Sequence, residues 1–378
     1  MRKFLFTSHD GYGLGHVRRN VTIAMEVVRR DPSAHVTVLT GITATPSWLD
    51  HPRLDVVRVP AVVKHDDGQY GNDELGRDIA LARRSETFEA LVERVAPDVV
   101  VVDRHPYGID GELRPGIDLA RRRGSALVLG LRDILDEPPV VQRELSTDRW
   151  AQVASTFDRV LVYGMPHVCD HVVEYGLPVF PTYTGWVAPD PRLNVVGAAP
   201  DPHLLVISAG GGADGQAVRR IGVELLRRCP TWRGLLVRGP LAPGDDDPCA
   251  EFGGRLTIAS SADGGMELYA RSGASLQMAG YNSTIEALAA GLRPILVPRR
   301  APRREQAIRS ARLASLGLAD VVDAGADADE LTWLLHRPRR LLAGDLSRAG
   351  ITLDGAARAT DVLFEFASRR EPAGVAAS

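Results

Sequence analysis

The stretch Gln277–Pro298, QMAGYNSTIEALAAGLRPILVP, decides how this chain is read. Its spacing predicts a strand over Ser275–Met278, a helix over Ser283–Ala290 and a strand over Pro294–Val297, the order of a parallel βαβ unit. Ser283-Thr284-Ile285-Glu286 fits a capping box, in which hydroxyl and carboxylate satisfy free amides at a helix start. That reading needs no ligand, but it leaves Gly280 unexplained. In the other reading the helix N-terminus from Asn282 to Thr284 receives a diphosphate. Gly280 then lets the phosphates approach, and Glu286 is placed to accept hydrogen bonds from ribose hydroxyls.

Outward from this stretch, the polar loop Arg299–Arg304 leads to Glu305-Gln306 at the start of a helix expected over Glu305–Leu316. The pair is either first-turn polarity with a Glu305–Arg309 partner at i, i+4, or a carboxylate and an amide placed to read sugar hydroxyls. Further strands are expected at Leu204–Ser208, Leu235–Val237, Leu256–Ala259 and Ala319–Val322, with a helix at Asp214–Arg228. Gly210, Gly211 and Gly212 form the turn between the first of these strands and that helix.

The first half repeats the plan. Strands are expected at Lys3–Thr7, His35–Leu39, Leu54–Val59, Asp98–Asp103, Ala126–Leu131 and Arg159–Tyr163, and helices at Val17–Arg30, Leu75–Val95 and Ile117–Arg123. The turn SHDGYGLGHVRRN, Ser8–Asn20, carries His16 at its tip. His16 is either a helix-start residue beside permissive glycines or a general base whose pKa the helix N-terminus lowers. A dinucleotide-binding reading lacks its acidic partner, because the second strand ends Val38-Leu39-Thr40-Gly41. Asp103 ends the apolar run Val99–Val102, where it would orient His16, bind an acceptor, or serve as an ordinary polar strand end; His105 shares these alternatives. Arg18 and Arg19 either touch a phosphate on the acceptor or decorate a helix.

With 378 residues the chain is too long for one ordinary domain. Pro189, Pro191, Pro200 and Pro202 suit an extended linker. The expected division is a Rossmann-like domain over residues 1–185, a linker over 186–202, a second Rossmann-like domain over 203–353, and a helix and tail over 354–378 that pack back on the first. Two such α/β domains face each other across a cleft, where ligands of these folds bind. A net charge of −3 gives no whole-chain reason to expect nucleic-acid binding. Three scattered cysteines suggest neither a disulfide framework nor a zinc ribbon, and no apolar run approaches a bilayer span. A cytoplasmic protein is expected. His167-x-x-x-His171 lacks a third ligand, and Asp245–Asp247 sit among turn residues, so no metal is expected.

Gly280-x-x-Ser283-x-x-Glu286, then Ala289-Ala290-Gly291-x-x-Pro294-x-x-x-Pro298, Glu305-Gln306, Ala311, Leu313 and Gly317, resembles the donor half of MurG-type glycosyltransferases of the GT-B fold. Those enzymes move N-acetylglucosamine from UDP to a lipid-linked acceptor. The glycine turn with His16 resembles their first glycine loop, and Gly210–Gly215 their second. The resemblance implies that Glu286 holds the ribose, that Ser283 and Thr284 lie at the diphosphate with Asn282 and Gly210–Gly212, and that Glu305 and Gln306 contact the donor sugar. It also implies His16 near the acceptor; Gly13, Gly15, Arg18 and His105 are expected on the acceptor side as well. Two departures stand out: Glu305 replaces the first of two glutamines, and the first loop lacks its usual proline. The GxGHxxR form of that loop also resembles nucleotide-sugar hydrolases of the same fold. The expected activity is inverting, metal-independent transfer from a nucleotide sugar, UDP first, to a hydroxyl acceptor such as a small soluble intermediate. Its rivals are a hydrolase or epimerase and a non-catalytic nucleotide-sugar-binding subunit. No cofactor besides the donor is implied.

Overall fold

A computed structural model describes residues 1–8, 13–64, 70–189, 199–208, 215–239, 248–259 and 265–369. The chain divides into two units, one of Met1–Asp133, Pro138–Val187 and the described part of Asp354–Ser378, the other of Ile134–Glu137 and the described part of Ala188–Leu353.

The first unit is built on a seven-stranded parallel sheet. Its strands are β1 (Lys3–Ser8), β2 (His35–Thr40), β3 (Leu54–Arg58), β4 (Val99–Asp103), β5 (Ala126–Arg132), β6 (Arg159–Tyr163) and β7 (Thr182–Tyr183), in spatial order β3-β2-β1-β4-β5-β6-β7. Strand β4 is buried along its whole length, as the unbroken valine run requires of a strand covered on both faces. Helices α1 (Gly15–Arg30), α2 (Arg77–Val95) and α3 (Arg114–Arg122) join these strands. The last described helix, Gly355–Ser368, belongs to this unit: Phe364 meets Phe4 with ring centroids 6.0 Å apart, and Arg30 pairs with Asp361 at 2.7 Å.

The second unit holds a six-stranded parallel sheet: β8 (Asp201–Ser208), β9 (Arg233–Val237), β10 (Leu256–Ala259), β11 (Ser272–Gln277), β12 (Ile295–Leu296) and β13 (Asp320–Val321), in order β10-β9-β8-β11-β12-β13. Its core gathers Leu205, Ile207, Ile221, Leu225, Leu276 and Ile295. Helices α4 (Gln216–Arg228), α5 (Gly265–Arg271), α6 (Tyr281–Ala289) and α7 (Glu305–Ser315) accompany the sheet.

Two details of the expected linker differ. Trp186 is fully buried in the first unit and donates its indole N–H to Asp133 at 3.2 Å. Pro202 lies inside β8, at an irregularity between Asp201 and Leu205; pairing with β9 begins only at Leu204, so no ladder bond depends on the missing N–H. Among the described residues no helix is long and apolar enough to cross a membrane.

Candidate functional site

In each sheet the direction of winding reverses once, between β1 and β4 in the first and between β8 and β11 in the second. The carboxyl ends of the strands flanking such a reversal form a natural ligand site, because the connections on either side diverge there.

In the first unit α1 follows β1, and Asp103 ends the neighbouring β4. The chain turns sharply after Asp103: Arg104 has φ +66°, its N–H donates to Gly130 O at 2.8 Å, and its guanidinium forks onto Glu144 at 2.8 and 2.7 Å. Asp103 is thereby left pointing at α1. His16 Nδ1 lies 2.6 Å from Asp103 Oδ2. Two acceptors do not approach so closely, so a proton lies between them, and in the neutral ring Nε2 then carries the lone pair. Burial holds the His16 imidazole below its ordinary value; Asp103 pulls it up, and Arg19 and Arg132 add to the lowering. Such a ring is neutral at pH 7, with Nε2 as its basic nitrogen.

Arg19 departs from the sequence reading. It does not decorate the helix: its side chain is buried and donates to Asp103 Oδ1 at 2.7 Å. Arg18 stacks on Trp48, 5.3 Å from the ring centroid. Gly13, in the left-handed region at φ +88°, lets the chain enter α1, which begins at Gly15. His105 turns toward Glu144, 3.7 Å away, and meets Tyr70 edge-on. With Thr7, Ser8 and Arg84 it lines a small cavity that Asp103 also borders.

In the second unit α6 begins at Tyr281, two residues before the expected start, because Gly280 is its N-cap. The capping box is not formed. Ser283 lies within the first turn and its hydroxyl donates back to Gly280 O at 3.4 Å, while Glu286 sits a turn deeper, buried against α5. A Cβ on Gly265 would stand 2.0 Å from Glu286 Oε2, so that glycine makes room for the carboxylate. Asn282 and Ser283 are half-buried at the helix start; Thr284 is wholly buried, its Oγ1 meeting no partner among the described residues. Gly210, Gly211 and Gly212 lie outside the described residues.

Glu305 and Gln306 open α7, both buried. Arg299 reaches both: its Nη2 donates to Glu305 Oε1 at 3.1 Å, and its backbone N–H to Gln306 Oε1 at 3.2 Å. Arg309, one turn on, is buried and donates to Ala279 O at 2.8 Å, which anchors the turn before Gly280. Sequence reasoning missed Arg299 and Arg309 as parts of the site. His171, half of the histidine pair in the sequence, has both ring nitrogens beside carbonyl oxygens, of Cys169 at 3.2 Å and Arg132 at 3.1 Å.

Among solved structures, the glycotransferase of kitacinnamycin is similar over 97% of this chain and 99% of its own, with a TM-score of 0.67 and 16% identity. UGT89C1 of Arabidopsis thaliana, complexed with UDP, is similar over 97% of this chain and 99% of its own, with a TM-score of 0.62 and 15% identity. MurG of Acinetobacter baumannii is similar over 98% of this chain and 100% of its own, with a TM-score of 0.55 and 13% identity. The chain has the GT-B fold. At these identities the likeness is one of fold. No family model and no curated protein sequence matches the chain. In GT-B terms His16 and Asp103 belong to the N-terminal unit, and Gly280, Glu286, Glu305 and Gln306 to the C-terminal one.

Proposed function

We propose that this protein is an inverting glycosyltransferase that works without a metal ion, moving a sugar from a nucleoside diphosphate to the hydroxyl of a small acceptor. The observation that carries the reading is the 2.6 Å contact between His16 Nδ1 and Asp103 Oδ2; with the ring held neutral by burial, that contact makes Nε2 its basic atom. In the proposed step Nε2 takes the proton of the acceptor hydroxyl as its oxygen bonds to the anomeric carbon. The bond from that carbon to the diphosphate oxygen breaks, and the diphosphate leaves with the electron pair. The transition state has oxocarbenium character.

Charge building on the diphosphate meets the amides at the start of α6, where the N-cap is glycine and no acidic residue occupies the first turn. Glu286 is assigned to the ribose, and Glu305 and Gln306 to the sugar. Gly210–Gly212 are assigned to the diphosphate as well. Gly13, Gly15, Arg18 and His105 are assigned to the acceptor side. UDP is the first nucleotide to try, since UGT89C1 is similar in fold and was solved with UDP, and with UDP-L-rhamnose. The MurG-type motifs make N-acetylglucosamine the first sugar.

The test is a panel of UDP-, dTDP- and GDP-sugars with the purified protein, with and without alcohol and phenol acceptors, followed by NMR of the anomeric products. Binding of one donor, little free sugar without acceptor, and an inverted glycoside with acceptor are expected. Rapid release of free sugar or of an epimer would make the protein a hydrolase or epimerase. Binding without turnover under any condition would make it a nucleotide-sugar-binding subunit, and binding of no donor would end the proposal.

A further inference from the structure

Arg19 lies one helical turn beyond His16, on the same side of α1. Its Nη2 is 2.7 Å from Asp103 Oδ1, while His16 Nδ1 is 2.6 Å from the other oxygen, Oδ2. The carboxylate is thus held at both oxygens by two donors from a single helix, and its plane is fixed. The Arg19 guanidinium rests over the ring of Tyr163, 5.1 Å from the centroid. Tyr163 ends β6, and its phenol is kept protonated by burial. The ring fits there because β5 carries glycine at position 130, paired with Asp103 on β4; a Cβ on Gly130 would come within 2.4 Å of the Tyr163 hydroxyl. Three adjacent strands and one helix build this floor, on which the guanidinium rests.

The charges explain the arrangement. A lone buried carboxylate beside an imidazole raises the imidazole's pKa and favours imidazolium, which has no free basic nitrogen. Arg19 already neutralises Asp103. It also stands 3.3 Å from His16 Nδ1, so a second positive charge on the ring would face an arginine at close range. Among the described residues, the charged groups acting on His16 are Asp103 from β4, Arg19 from its own helix and Arg132 from the end of β5. Two of these three oppose protonation.

We propose that Arg19 is the positioning residue of this site: it fixes the Asp103 carboxylate toward His16 Nδ1 and, by cancelling its charge, keeps Nε2 free to accept a proton. Arg19 touches neither donor nor acceptor in this role. The assignment of the accepted proton to an acceptor hydroxyl rests on the proposed function, but the electrostatic role does not.

The experiment is a pH titration of the full-length protein labelled with 15N-histidine, without donor or acceptor, with His16 assigned from the signal lost in His16→Gln. In the wild type His16 is expected in the Nδ1–H tautomer, with its midpoint below 6.5. Arg19→Met should raise that midpoint by about one pH unit or more, while Arg19→Lys, which keeps the charge, should restore most of the wild-type value. An unchanged midpoint in Arg19→Met would overturn the proposal. Should Arg19→Met not fold, two results still decide: a wild-type midpoint above 7 or the Nε2–H tautomer would overturn it, as would an Arg19→Lys midpoint above 7. Failure of the sugar-transfer reading would leave this titration untouched and show only in the donor panel.

Discussion

At the reversal of the first sheet, His16, Asp103 and Arg19 are bound to one another before any substrate arrives. At the reversal of the second, helix α6 starts on a glycine, with no capping side chain and no acid in its first turn. Both places come from the same chain plan of strand, glycine turn and helix. The first is closed on itself and fixes where a proton can go; in the second, the proposed function assigns the start of α6 to the diphosphate. Substitutions in the first should therefore change stability and rate, and those in the second affinity.

The largest effect is expected from Asp103→Ala, which strands the buried Arg19 guanidinium. Loss of one partner of a buried pair costs about 3–5 kcal/mol, to be read from urea unfolding; a loss near zero would mean that the first network holds nothing together. His16→Ala should slow turnover roughly 100-fold or more while leaving donor affinity nearly unchanged, measured by steady-state rates and calorimetry. A matching loss of affinity would blur the division between the two regions. For the wild type, turnover should fall only as the pH drops below the ordinary histidine value of 6.5, because burial lowers the folded pKa. Stability follows the same sign: below 6.5 the unfolded chain takes up a proton that folded His16 does not, so this residue's contribution is complete above that pH and declines on the way down to its folded pKa.

In the second region, Glu286→Ala should weaken nucleotide affinity about tenfold, the size of one charge-assisted hydrogen bond; unchanged affinity would leave Glu286 only its packing role beside Gly265. The smallest effect on stability is expected from Gly280→Ala. Gly280 has φ −64°, and a Cβ there would meet only Ser283 Oγ, at 3.4 Å. The loss of a good N-cap and the gain in backbone entropy offset one another to within about 1 kcal/mol, yet nucleotide affinity should fall, because the methyl stands where phosphates would approach.

The strands were legible because parallel, doubly covered strands are written as β-branched runs, and Val99–Val102 is one of the clearest. His16 and Asp103 were legible as polar residues at the ends of such elements. Their direct contact needed the strand order, which places β4 beside β1 across 87 residues of sequence. Arg19 was hidden for the same reason: in a helix read alone, an arginine after another arginine looks solvated, and only the neighbouring strand supplies the carboxylate. The start of α6 was displaced because Ser283–Glu286 matches a capping pattern, whereas tertiary packing takes Glu286 to α5 and leaves the cap to Gly280. Helix α5 itself and the two-residue strand β7 carry too little periodicity to be seen.

The return of helix Gly355–Ser368 to the first unit bears on how the chain is made. Its buried face, Ala359, Leu363, Phe366 and Ala367, belongs to a unit whose strand β1 is translated long before it. Nearly the whole second unit is synthesised in between, as one continuous segment. Synthesis therefore presents the first unit's apolar seat for this helix before the helix itself, and the contact closes only after the intervening second unit has been made.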